Sequence, residues 1–521
     1  MTTRFLSIGI GIGIFLMLAG GVVFLKHGPS GALSSLNYPA ARVAQASGTA
    51  RTLLAPDRFP APRSRQTPRA DERRLPAYFP IGALRAPASQ ITLLCDESLA
   101  AGEAVYKNGK SFPTYAGDGL EVTVEARDDS GAPCRYPFAL SAPKNGSGAS
   151  GYGDGSQYIF RSSVPGVRAI FSSDNQWAAF GLKGGKKNGR RIHIEIRDIA
   201  FEYQAGVQAS GGIWNQIYPD AASGGLVTFA LINVSVTGGK NALFSPSGNI
   251  MMYVADSDIG GNVGKHFDQH HSVYVNAIRS FHAVDSWIGG QRSTKGTGGH
   301  QLKSKARINI LEDVTLDNGG GEFSRSNRPL ADLSAFSYTW STGLRLIRRE
   351  PDPEERRNAL VDIRRDRYGP SEVPLPFPDA AGWTMPVAPG DCGNIDQIPS
   401  NGVYLQIFRN TKVLSATEEP FIFRANGVVD TRYEGIHPKA SHDDLMANPR
   451  RNRALVLTFD SDFDGGPDSG DGYFYLKPSY PTYHCADPEL TGAFAGLTGD
   501  RDRFIAHAFS MLDRAQAARP R

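Results

Sequence analysis

The sequence predicts an all-β fold, a right-handed parallel β-helix with an N-terminal transmembrane anchor and a short C-terminal helix. Three observations predict it. The 521 residues include 58 Gly and 34 Pro, a load that breaks long helices. From about Ile91 onward, short apolar alternations are separated by Gly/Ser/Asn-rich turns, with no helix-length periodic run between them. The alternations also share one form. Ile196–Phe201, Leu231–Val236, Val254–Ile259, Ala283–Ile288, Leu311–Leu316 and Phe408–Val413 each carry Asp or Asn at the third position.

Asp198, Asn233, Asp256, Asp285 and Asp313 recur after 35, 23, 29 and 28 residues, a loose solenoid period. An alternating strand, a tight turn marked by Asn or Asp, and a further strand make one coil. A coil cannot bury its inward face alone, so coils stack, and their Asx turns should form one column. The uneven spacing predicts loops of variable length at a corner. The competing architecture is an antiparallel β-sandwich, which has no need of a repeated third-position Asx.

The N-terminal element is the anchor. Phe5 to Leu25 holds no charge and is flanked by Arg4 and by Lys26 and His27. At about 1.5 Å per residue such a run spans a hydrocarbon core of ~30 Å. The alternative is a cleaved signal peptide, but apolar residues continue past Ala19-Gly20-Gly21. We therefore assign 1–27 to a signal anchor, 28–88 to a linker and 89–521 to the β-helix domain. The linker carries nine Pro and nine Arg against three acidic residues, the composition of an extended spacer. With 56 basic and 52 acidic residues and no dense Lys/Arg stripe, nucleic acid is not an expected partner.

Four cysteines, Cys95, Cys134, Cys392 and Cys485, form no CxxC pair. Two disulfides fit an exported chain. Spacing favours Cys95–Cys134 and Cys392–Cys485 among three connectivities, and four buried thiols are the alternative. The pairing implies a body outside the cytoplasm, hence a single-pass protein with a periplasmic or cell-surface domain. Ile91 to Pro143 suits an N-terminal cap, needed because open strand edges template aggregation. Residues 350–398, charged and then Pro-rich, read as an excursion from the coils. Asp500 to Ala518 reads as a helix, with Phe504, Ala508 and Leu512 on the face toward the body.

The densest polar cluster runs from Lys265 to Arg307. His271 and Tyr274 share a three-residue offset with His300 and Lys303, and each pair is separated from its counterpart by 29 residues. One coil apart, such residues stack about 5 Å from each other on neighbouring strands. The segments His271-Ser-Val-Tyr274-Val275 and Gly299-His300-Gln-Leu-Lys303-Ser304-Lys305-Ala306 resemble the HxxYV and GHxxKS[RK]A motifs of pectate-lyase-like β-helix proteins of the bacterial cell envelope. Lys303-Ser304 is also similar to the Lys-Ser of alginate- and chondroitin-type lyases, where the Lys is the base. The Arg that those lyases carry one coil further on has no motif-fixed counterpart here.

The resemblance implies β-elimination on an acidic, uronate-bearing polysaccharide. That chemistry needs a base near a cation that neutralises the substrate carboxylate. Lys303 is the expected base, with Lys305 or Arg307 repelling its proton, since alternation would put all three on one face. Tyr274 would relay a proton to the leaving oxygen. His271 and His300 would bind the carboxylate or act as acid and base. Lys305, His270 and Trp287 are the expected substrate-binding residues.

Other chemistries remain open. A glycoside hydrolase needs two carboxylates flanking the bond. Asp268, Asp285 and Asp313 are available, but two of them occupy the Asx turn and no adjacent Asp pair is evident. His266, His270 and His271 could hold a metal, although adjacent strand residues face opposite ways. A non-catalytic polysaccharide-binding or scaffold role stays alongside. Near the C-terminus Asp460, Asp462, Asp464, Asp468 and Asp471, with Gly465, follow the oxygen-ligand spacing of a calcium loop, so Ca2+ is the expected cofactor. The alternative is a solvated acidic turn.

Overall fold

The computed structural model describes residues 74–95, 119–137, 140–141, 152–173, 178–183, 189–203, 211–219, 221–260, 271–289, 300–319, 329–349, 360–364, 403–415, 421–426, 454–461, 473–476, 482–486, 488 and 490–517. All of them fall within Leu54–Arg521. The anchor segment lies outside the described residues. No described helix is long and apolar enough to cross a membrane.

The strands form three parallel sheets, a first of 12 strands, a second of 9 and a third of 10. The chain visits the first, second and third in turn, which is a parallel β-helix. One coil runs through Ile278–Val284 in the first sheet, Trp287–Gly289 in the second and Leu302–Ser304 in the third, then enters the next coil at Ile308–Glu312. Alternation decides which side chains point in. Phe229 and Leu231 stack on Met252 and Val254, and these on Phe281 and Ala283, all fully buried. Each coil closes the face that its neighbour leaves open.

The expected turn column is present. Asp198, Asn233, Asp256, Asp285 and Asp313 all adopt left-handed backbone, with φ from 47° to 58°. Asx residues tolerate this conformation because their short polar side chains bond locally. Each backbone N–H donates to the carbonyl one residue before the next column member, as Asp256 does to Val284 and Asp285 to Glu312. Asn233 Nδ2 donates to Asp198 Oδ1 at 2.5 Å. The column continues through Gly343, Asn410 and Asp460, at φ 65°, 50° and 46°. Glycine stands at one position for a local reason: a Cβ on Gly343 would run into Asp313 Oδ1.

Several element boundaries differ from the sequence reading. The segment expected to cap the N-terminal end stands at the edge of the first sheet and supplies strands there, Ser89–Leu93 pairing in parallel with Leu120–Val124. The 350–398 excursion contains a strand of the third sheet, Val361–Arg364. The last part of the linker is a strap on the body, where Phe79 is buried and Leu75, Tyr78 and Ile81 pack beside it. Its apolar residues are diluted by the Pro and Arg that precede them.

The C-terminal helix Arg501–Ala517 packs as expected, burying Phe504, Ile505, Ala508 and Met511, with Leu512 half-buried. Phe504 meets Trp340 and Tyr338 of the first sheet. Cys95 and Cys134 form a disulfide. Cys392 lies outside the described residues, and Cys485 falls in the strand Thr482–Ala486.

Candidate active site

The third sheet presents a column of side chains at consecutive register positions. Trp214 pairs with Phe244, Phe244 with Tyr274, Tyr274 with Lys303, Lys303 with Asp332, and Asp332 with Asp362. Their strand neighbours Ile213, Leu243, Val273, Leu302 and Ala331 are fully buried in the core, so the column faces away from it. The column is aromatic at one end, where Trp214 stacks on Phe244 at 4.3 Å and Phe244 meets Tyr274 edge-on at 5.7 Å. It is ionic at the other.

His271 and His300 stand three residues before Tyr274 and Lys303, and their rings stack at 5.1 Å. The His271 backbone N–H donates to Asn241 Oδ1. His300 Nδ1 lies 2.9 Å from the Pro329 carbonyl, which only accepts, so Nδ1 carries the proton. His300 Nε2 then faces Asp332 Oδ2 at 3.3 Å, and Lys303 Nζ reaches the same oxygen at 3.8 Å. Lys303 Nζ also lies 5.3 Å from the Tyr274 ring centroid, within cation–π range. His271 meets Tyr274 edge-on at 5.2 Å.

Asp332 is thus the centre of the cluster, 2% exposed. Burying a carboxylate costs several kcal/mol unless charged or hydrogen-bonding partners surround it; the Lys303 ammonium supplies a counter-charge at 3.8 Å, and His300 adds a second when Nε2 is protonated as well. The groups separate by depth. Asp362 is fully buried, and Asp332, His271 and His300 nearly so, whereas the Lys303 side chain is 23% exposed and Tyr274 half-buried. A phenol and an ammonium reach the surface, with imidazoles and carboxylates beneath.

Other expected site residues fall elsewhere. The strand of Lys303 ends at Ser304, so alternation does not extend to Lys305 and Arg307. Their N–H groups donate to Val275 and Ile278 at the corner leading to the first sheet. Arg307 lies near Tyr404, whose hydroxyl burial pushes up to about 12 against the pull of that guanidinium. Trp287 belongs to the second sheet, between Asp258 and Thr315. His266, Asp268 and His270 lie outside the described residues. Asp460 occupies the turn column with its side chain 76% exposed, 4.0 Å from Arg409, while Asp462, Asp464, Asp468 and Asp471 lie outside the described residues. Among the described residues no group of three or more His, Cys, Asp or Glu could hold a metal ion.

The sequence reading missed Trp214, Phe244, Asp332 and Asp362. A signal was available. Steps of 29 or 30 residues from Tyr274 land on Phe244 and Trp214 in one direction, and on Lys303, Asp332 and Asp362 in the other. The motif itself spans only one such step, from Tyr274 to Lys303. No protein family, curated protein or solved structure matches the chain.

Proposed function

We propose that this protein is a membrane-anchored, extracytoplasmic right-handed β-helix that cleaves an acidic polysaccharide by β-elimination on its third sheet. The observation that carries the reading is the separation by depth. Tyr274 and Lys303 reach the surface side by side, while Asp332, His271 and His300 support them from below. The Lys303 ammonium, held against Asp332, neutralises the uronate carboxylate, which acidifies the neighbouring C–H and stabilises charge as it develops. This moves Lys303 from base to clamp. Tyr274 exchanges the protons, with the His271 ring against its edge. The C5–H and C4–O4 bonds break, a C4–C5 double bond forms, and the proton passes to the leaving O4.

The test is to incubate the full-length protein with a panel of uronate polymers and follow the absorbance of the unsaturated product. Tyr274→Phe should cost roughly 10²–10⁴ in kcat. Lys303→Ala should raise KM, because the ammonium holds the bound carboxylate, and lower kcat, because it also stabilises charge that develops only in the transition state. A second reading is a glycoside hydrolase, for which Asp332 and Asp362, paired on adjacent strands but buried beneath Lys303, would have to reach the bond. New reducing ends without unsaturation would select it. Saturable binding with no new ends would select a binding protein that uses the Trp214–Phe244–Tyr274 run as a sugar platform.

A further inference from the structure

A cavity of about 870 Å³ lies on the outer face of the first sheet, between the 74–80 strap and the C-terminal helix. It is built by elements that the third-sheet column does not use. Its walls are Leu226, Met251, Tyr253, Val284, Ile505 and Phe509. Met251, Tyr253 and Val284 belong to a second apolar cluster, outside the main core and covered by the strap. An apolar space of this size falls within the roughly 300–1,000 Å³ of small-molecule sites.

The polar groups at its floor are already satisfied by one another. Tyr78 OH lies 2.5 Å from His282 Nδ1, and His282 Nε2 lies 2.8 Å from Glu312 Oε2. Because an ionised carboxylate only accepts, Nε2 carries the proton and Nδ1 receives the phenol O–H. Arg501 closes the chain, with Nε 2.6 Å from Glu312 Oε1 and Nη2 3.1 Å from Oε2. A floor so paired does not demand polar atoms from an occupant.

The lining charges are unequal. Arg74, Arg279 and Arg501 face only Glu312 and Asp502 among the cavity residues. Arg501 is committed to both carboxylates, and Arg279 pairs with Asp513 while lying over the Phe509 ring at 5.2 Å. Among the described residues no hydrogen bond or ion pair engages the exposed Arg74 guanidinium. A half-open cleft with apolar walls, whose uncompensated charge is positive, selects an occupant of complementary design.

We propose that this cavity is a binding site for an amphipathic anion, an apolar body seated on Met251, Tyr253 and Val284 with a carboxylate or similar head held by Arg74. The site is independent of the third-sheet column and of the reaction proposed there. Guanidinium is the group of choice for such a head because its planar fork matches a carboxylate.

Calorimetry on the full-length protein, with naphthoate, naphthylmethanol and naphthylmethylammonium as probes, isolates the head group on a constant apolar body. Naphthoate should bind once per chain, at least tenfold tighter than the alcohol, with the ammonium weakest. Arg74→Gln, at an exposed position, should reduce naphthoate to the affinity of the alcohol. Leu226→Trp, which narrows the cavity at one wall, should weaken binding of all three. Decanoate distinguishes the source of the ligand: tighter than naphthoate assigns an acyl anion, weaker an aromatic acid. Equal affinity for the three heads, no saturable heat, or naphthoate affinity unchanged by Leu226→Trp would overturn the proposal. Should Leu226→Trp fail to melt cooperatively, Arg74→Gln decides alone.

Discussion

Replacing Glu312 by Gln should loosen the C-terminal helix and remove its response to acid. Glu312 accepts from His282 on one strand and from Arg501 on the helix, so it ties the two together. Burial works to raise its carboxyl, but the hydrogen bonds and charges of His282 and Arg501 outweigh it and hold the group at about 2 rather than 4.5. At ~1.4 kcal/mol per tenfold, that lowering is worth about 3 kcal/mol. Because the folded value is depressed, the contribution is fully present above about 4.5 and is lost as pH falls toward about 2. Hydrogen exchange of the 501–517 amides, corrected for intrinsic rates, reads the opening of the helix. Across that window the native protein should lose about 3 kcal/mol of protection more than Glu312→Gln loses. Other carboxylates titrate in both proteins, so the difference isolates this one. Equal acid sensitivity in the two proteins would refute the reasoning.

Three further outcomes are expected. Gly343→Ala should destabilise the coils by more than the ~1–2 kcal/mol of left-handed strain alone, because the new Cβ meets Asp313 Oδ1. Adding Asp313→Gly should recover the excess in a urea double-mutant cycle, and strict additivity would show that the contact costs nothing. Replacing Cys95 and Cys134 by Ser removes a cross-link with a sequence separation of 39, worth about 4 kcal/mol by loop entropy. Exchange protection should fall at Ser89–Leu93 and stay unchanged at Leu302–Ser304; loss at both would mean that the coils do not unfold independently. Lys303→Met should cost about 3–5 kcal/mol by leaving the buried Asp332 carboxylate without that ammonium. An unchanged thermal midpoint would show that Lys303 is not the counter-charge of Asp332.

The turn column was legible because left-handed backbone restricts the residue type. Only Gly and Asx occupy it from Asp198 to Asp460, so one position per coil announces itself. The inward face was legible through alternation. The outward column was harder to read, because Trp, Phe, Tyr, Lys and Asp share no chemistry that marks Trp214 through Asp362 as one series. Only a constant stride does, and after Asp362 the stride breaks, since its next partner is Arg424. The His271/Tyr274 and His300/Lys303 repeat was visible, but Asp332, which joins the second pair, lies beyond the motif. The strap was hidden for a different reason: Tyr78 and Phe79 acquire meaning only against Tyr253 and His282, far along the chain.

The corner between the first and second sheets never varies by more than a residue in the central coils, whereas the connections from the second sheet to the third run to a dozen or so residues from Gly260 to Val361. One corner therefore keeps time and the other improvises. Chain length at this corner is quantised: removing residues 256–284 would rejoin Ala255 to Asp285 with every remaining coil in phase, while losing one residue at that corner would pull its Asx turn out of the column. The variable connections end beside His271 and His300, so new material can be spliced next to the third-sheet column without disturbing the metre of the fold. A lineage with this architecture can rewrite that face one coil at a time and leave its rhythm intact.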